Sequence, residues 1–241
     1  MEKRVKQHSS SQLALAVQLP DDETFSSFYP GSNQQLISEL KSVAASSSPA
    51  FYYIWGHHGA GRTHLLHATC GEINQRDGTS VFIPLSRVMS MGTAVLEGLE
   101  QLDLICLDDL QEVIGDPQWE EAIFDLFNRW NERGEQRGML IVTASSAPRN
   151  LGIKLADLAS RLDWGTSYQL NELSDEEKLA ALQLRAEIRG FHLTEDVGHF
   201  LLKRLSRDMS TLVETLDQLD NASLHARRKI TIPFVKEILE L

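Results

Sequence analysis

Gly56-His57-His58-Gly59-Ala60-Gly61-Arg62-Thr63 has the glycine spacing of a phosphate-binding loop, with arginine where that pattern carries lysine. Glycines at such places let several backbone N–H groups turn inward as an anion nest, and a following helix aims its positive end at the same point. Thr63 is the hydroxyl that would share a Mg²⁺ ion, and Arg62 is the cation that would meet the outer phosphates. A guanidinium is planar, larger and differently hydrated from an ammonium, so Arg62 suits a diphosphate better than it places a γ-phosphate. The candidate nucleotide contacts in this stretch are Gly56, His58, Gly59, Ala60, Gly61, Arg62, Thr63 and His64. His57 and His58 read first as semi-exposed loop residues, and the histidines show no metal-ligand spacing.

A second pair of charged residues closes the apolar run Leu104-Ile105-Cys106-Leu107. Such a run suits a central strand of a parallel sheet, and ligand-facing groups sit at the C-terminal ends of such strands. Asp108 would hold the Mg²⁺ shell and Asp109 would orient a water as the catalytic carboxylate. A strand ending in a solvated aspartate fits the same residues. The phosphate loop upstream favours the metal reading.

These residues need particular elements to position them. Phe51–Trp55 reads as a buried strand before the loop, and Thr63–Ile73 as the helix behind it. Val81–Leu85 and Met139–Val142 read as further strands, with polar Thr143–Ser146 at the end of the latter. Asp116-Pro117 opens a helix whose Trp119, Ile123, Leu126, Phe127 and Trp130 form an apolar stripe of helical period, most simply core. Leu155–Leu162 reads as a short helix and Thr166–Leu170 as the last strand. Alternating helices and buried strands predict an α/β fold with a parallel sheet between helix layers. Strand signals then cease. Ser174-Asp175-Glu176-Glu177 predicts a capping box, and the remaining pattern gives a small all-helical unit. The expected division is a tail at 1–20, an αβα domain at 21–171 and a helical subdomain at 172–241.

The chain has 241 residues and a net charge of −11, which opposes non-specific DNA binding through phosphate neutralisation. Arg227-Arg228-Lys229 and the pair Arg185 and Arg189 are the candidate basic patches, and solvated helix faces explain them as well. No apolar run is long enough to span a membrane, and the start lacks a signal peptide's apolar stretch. Cys70 and Cys106 both fall in apolar settings, as reduced core thiols would, and the expected location is cytoplasmic.

Thr24-Phe25-Ser26-Ser27-Phe28, the run Gly59–Leu66 and Leu158-Ala159-Ser160-Arg161-Leu162-Asp163-Trp164-Gly165 together resemble the AAA+ ATPases, specifically the family of the bacterial replication initiator DnaA. The likeness continues through Leu173–Arg189 and Thr231–Leu241, which match that family's lid. The resemblance implies an AAA+ P-loop domain with a C-terminal helical lid, and ADP or ATP with Mg²⁺ as cofactors. It places the base near Tyr29 and Pro30. It makes Arg161 an arginine finger, acting in trans on a neighbour's nucleotide; read without it, Arg161 is a surface arginine paired with Asp157 or Asp163.

Gln12-Leu13-Ala14-Leu15 resembles the peptide by which short members of the family dock on the sliding clamp, with Gln12, Leu13 and Leu15 as contacts. The implied partners are DnaA and the clamp's β subunit. The family's helix-turn-helix DNA-binding domain does not follow Leu241, so sequence-specific DNA binding is not expected; the sequence leaves monomer and homodimer open. Two departures join Arg62. Ser145 stands where a sensor-one carboxylate is expected, and Ser210 where the lid carries a sensor-two arginine, with Arg207 one helical turn earlier. Charge placement governs phosphoryl transfer, so little hydrolysis by the chain itself is expected. A regulator that activates a partner's ATPase, a stand-alone P-loop ATPase and an AAA+ loader or adaptor all remain open.

Overall fold

Alternate residues of each strand face opposite sides of a sheet, and the sequence here loads both sides with apolar groups. The computed structural model describes residues 22–46 and 48–241. In it, β1 (Ala50–Trp55), β2 (Ser80–Pro84), β3 (Leu104–Asp108), β4 (Met139–Ala144) and β5 (Thr166–Gln169) form a five-stranded sheet in the order β2-β3-β4-β1-β5. All its pairings are parallel, with Tyr53 opposite Val142 and Cys106 opposite Ile141. Leu85, expected to end the second strand, instead opens the one-turn helix α3 (Leu85–Val88), because Pro84 supplies no ladder donor. The fourth strand runs two residues further than expected, through Thr143 and Ala144, both fully buried.

One sheet face packs Tyr53, Ile105, Leu107, Leu140 and Val142 on α4 (Pro117–Glu132), through Trp119, Phe127 and Trp130. The apolar stripe of that helix is therefore core, as its period requires, and Asp116 caps it by accepting from the Gln118 and Trp119 N–H groups. The other face packs Tyr52, Ile54, Leu104, Cys106 and Ile141 on α1 (Gln34–Ser46) and α2 (Arg62–Asn74). Cys70 and Cys106 are buried free thiols on this side. The short helix α5 (Ala156–Leu162) leads into β5 at the sheet edge.

Helices α6 (Asp175–Ile188), α7 (Glu195–Arg204), α8 (Met209–Ala226) and α9 (Ile232–Ile238) enclose a separate core around Leu182, Leu201, Leu212, Leu216 and Phe234. The Ser174 capping box forms with Glu177. The segment Asp22–Pro30 crosses between this helical unit and α2, anchored by buried Phe25 and Phe28. Among the described residues no helix is long and apolar enough to cross a membrane.

Candidate nucleotide-binding site

β1 ends at Trp55, and the chain must then reverse tightly to start α2. Gly59 and Gly61 make that turn with φ of +76° and +98°, a region L side chains rarely adopt. Space is equally restrictive. A Cβ on Gly61 would fall 2.7 Å from the Phe28 ring, and one on Gly56 would fall 2.8 Å from the Leu170 carbonyl oxygen. Gly61 is the N-cap of α2, so the free N–H groups of that helix's first turn face the loop.

Arg62 is 7% exposed. Its Nη2 lies 2.9 Å from Asp109 Oδ1, while its buried Nη1 has no protein partner. A buried guanidinium with an orphaned donor beside a glycine cradle fits a phosphate. Thr63 Oγ1 donates to Asp108 Oδ2 at 2.7 Å, and Thr143 Oγ1 to Asp108 Oδ1 at 2.5 Å. Burial pushes the Asp108 carboxyl above its usual range, and those two hydroxyl bonds only partly offset it. A divalent cation shared by Thr63 and Asp108 would reverse that effect, so the pair fits Mg²⁺. Asp109 adopts φ of +59°, its N–H donates to Thr143 Oγ1 at 3.1 Å, and its Oδ1 accepts from Gln111 Nε2 at 2.8 Å.

A cavity of about 440 Å³ opens over the loop. Its wall includes Tyr29, His58, Gly59, Ala60, Gly61, Arg62, Thr63, His64 and Asp109. Gly56 lies under the loop and Asp108 behind Thr63, while Pro30 caps the helical turn that follows Tyr29. Neither these three nor Arg161 belongs to the wall. His64 Nε2 meets the Thr24 carbonyl at 2.8 Å and Ser27 Oγ at 3.2 Å, so its ring serves the crossing segment. His57 and His58 are exposed, with His58 Nδ1 3.6 Å from Asp208.

Arg185 and Arg189, expected on a solvated helix face, are placed otherwise. Arg185 is 8% exposed in the cavity wall, with Nη2 3.4 Å from His64 Nδ1. Arg189 bridges Asp22 and Asp217. Their carboxylate partners, Glu23 for Arg185 and Asp22 with Asp217 for Arg189, lie far away in sequence, so a solvated helix face does not describe them. Glu23 completes the cluster by bonding His67 Nδ1 at 2.5 Å. Burial works against its charge, but the His67 bond and the His64, His67 and Arg185 charges hold its carboxyl below the usual value. Thr143 falls at the end of the fourth strand, where ligand-facing polar groups were expected, whereas Gln111 and this cluster were missed. Gln111 had one signal, a polar residue a few positions beyond a buried strand end.

At the lid, Ser210 lines the cavity and donates to Asp208. Arg207 points elsewhere, pairing with Asp175 at 3.1 Å, so it does not replace the missing lid arginine here. Ser145 is exposed, and its backbone N–H donates to Gln111 Oε1 at 2.9 Å. Gln12, Leu13 and Leu15 lie outside the described residues.

Arg161 sits on α5, with Cζ 5.9 Å from the centre of the Phe127 ring. Among the described residues it pairs with neither Asp157 nor Asp163. The start of α5 is set by Glu120, 1% exposed, whose carboxylate accepts from the N–H groups of Gly115, Lys154 and Leu155.

The chain resembles known proteins along most of its length. The model of the bacterial DnaA ATPase domain matches residues 19–169, and that of the Hda lid domain matches residues 175–239. Domain III of the replication initiation protein DnaA from Thermotoga maritima superposes with a TM-score of 0.73 at 22% identity, over 92% of this chain and 97% of that one. AMPPCP-bound DnaA from Aquifex aeolicus gives 0.64 at 22%, over 83% and 66%. A Thermotoga maritima RuvB variant gives 0.60 at 16%, over 86% and 67%. The fold is thus that of AAA+ proteins with a helical lid. Since the ATPase-domain model alone covers more than half of its residues, the chain belongs to the Hda/DnaA family of AAA+ proteins.

Proposed function

We propose that this chain is a nucleotide-binding regulator of replication initiation that keeps its own nucleotide, an adenosine diphosphate with Mg²⁺, largely unhydrolysed. It lends Arg161 to the ATP of the initiator DnaA, which stops re-initiation. The observation that carries this reading is the split between two arginines. Arg62 is buried in the chain's own cavity and tied to Asp109, while Arg161 lies outside that cavity with no carboxylate partner among the described residues. That a DnaA relative is AMPPCP-bound supports nucleotide binding by this chain.

Gly59, Gly61 and the first turn of α2 would hold the phosphates, Arg62 would donate through Nη1, and Thr63 with Asp108 would hold the Mg²⁺. Asp109 is engaged by Arg62 and Gln111, which leaves it poorly disposed to orient a water and argues against the stand-alone ATPase. Gln12, Leu13 and Leu15 would attach the chain to the DNA-loaded sliding clamp and so deliver Arg161 to the initiator.

The test is a reconstituted reaction with ATP-loaded DnaA, DNA-loaded clamp and the full chain. Initiator hydrolysis should rise with the chain present and fall back with Gln12→Ala, which should also fail to retain the clamp in a pull-down. Stimulation that is independent of the clamp would refute the delivery step. No stimulation at all would refute the regulator.

A further inference from the structure

Trp164 is the least expected side chain on the surface. It is 57% exposed, although a tryptophan gains more from burial than most residues. One exposed aromatic is ordinary by itself; its setting is not. The indole packs at a tilt of 59° against Phe127, with ring centres 5.9 Å apart, and the Arg161 guanidinium lies 5.9 Å from the centre of the same ring. The Trp164 N–H donates to the Arg161 carbonyl at 3.1 Å, closing the end of α5. The next residue cannot carry a side chain, because a Cβ on Gly165 would fall 2.1 Å from Phe51 Cδ1. The turn is therefore seated hard on the core, and both side chains lie against the Phe127 ring.

What flanks them is also open. β5 is at the sheet edge, pairs only with β1 in the described residues, and exposes Thr166, Ser167 and Gln169. A cation and an indole held side by side on a rigid support call for a surface that brings negative charge to one and an apolar pocket to the other.

We propose that Trp164 is the docking anchor for the nucleotide-bearing face of an AAA+ partner, entering an apolar pocket there while Arg161 meets the partner's triphosphate. This rests on the trans-acting reading of Arg161 and adds the residue that supplies affinity to the one that supplies rate. Tryptophans in such places dominate binding energy, whereas a transition-state charge acts on the chemical step.

The experiment titrates the full chain into ATP-loaded initiator with DNA-loaded clamp and reads hydrolysis as a function of chain concentration. Trp164→Ala should raise the half-saturating concentration about tenfold or more and leave the plateau unchanged. Trp164→Phe should recover most of the loss. Arg161→Ala should lower the plateau itself. If Trp164→Ala titrates like the wild type while Arg161→Ala loses the plateau, the anchor is wrong and the finger stands. If Arg161→Ala keeps the plateau, the reading beneath both is wrong.

Oxidative footprinting of the unmodified chain gives a readout that no folding defect can obscure. Trp164 should be labelled in the free chain and protected in the complex. Protection in the chain alone, with no change on adding the initiator, would assign the surface to a second copy of the chain and overturn the proposal.

Discussion

Asp109 Oδ1 lies 2.9 Å from Arg62 Nη2, so the loop's cation is held by a carboxylate of its own subunit. The remaining donor, Nη1, is buried and unpaired. Arg62→Ala should therefore weaken ADP binding about 10- to 100-fold, the value of a charge-assisted hydrogen bond. Asp109→Asn should not weaken it. Isothermal titration with ADP checks both. An Arg62→Ala variant that binds ADP like the wild type would remove Arg62 from the site.

Gly61 tests the cradle. It has φ of +98° and would place a Cβ 2.7 Å from Phe28. Gly61→Ala should cost about 1–3 kcal/mol through backbone strain and lower Tm by about 2–4 °C per kcal/mol. Nucleotide affinity should fall in the same variant. Calorimetry with and without ADP separates the two effects.

The loop and the strand before it could be read from local pattern, because glycine spacing and a β-branched run need no distant partner to be recognised. Capping followed for the same reason, as Ser174 and Asp116 show. The cavity's far wall could not. Arg189 meets Asp22 and Asp217, residues far apart in sequence and brought together only by the lid folding back on the crossing segment. Thr143 likewise bonds Asp108 only because β3 and β4 are neighbours, although the long connection through α4 separates them.

The ionic cluster at that wall gives a pH dependence. Burial foremost lowers the His64 pKa from 6.5, and the bond to the Thr24 carbonyl does not compensate. The unfolded chain thus takes up a proton first as pH falls. Stability from His64 is complete above 6.5 and declines as pH drops from there towards the lowered native value. Glu23 and Asp22, both held below their ordinary values of 4.5 and 3.8, add losses at lower pH. The buried Asp108 carboxyl, held above its usual value, opposes these losses, so the His64 share is read by comparing variants. On acidification from pH 8, Tm of the wild type should fall more than that of His64→Gln below 6.5, and parallel curves would contradict this.

Ser210 stands where the family resemblance implies a lid arginine, and it lines the cavity. Ser210→Arg should supply one, tightening the binding of a non-hydrolysable ATP analogue about tenfold relative to ADP. The companion measurement is the chain's own ATP turnover, which should stay low while Asp109 remains tied to Arg62. An unchanged analogue-to-ADP ratio would show that Ser210 does not face the outer phosphates.

The central claim is that the chain's own pocket and its catalytic guanidinium serve different nucleotides. Single-turnover hydrolysis of ATP preloaded on DnaA, followed beside ADP binding to the chain itself, tests it with one variant. Arg161→Ala should bind ADP with the wild-type Kd and leave DnaA hydrolysing at its unstimulated rate. Full stimulation by that variant, or an ADP affinity lost in step with stimulation, would contradict the account.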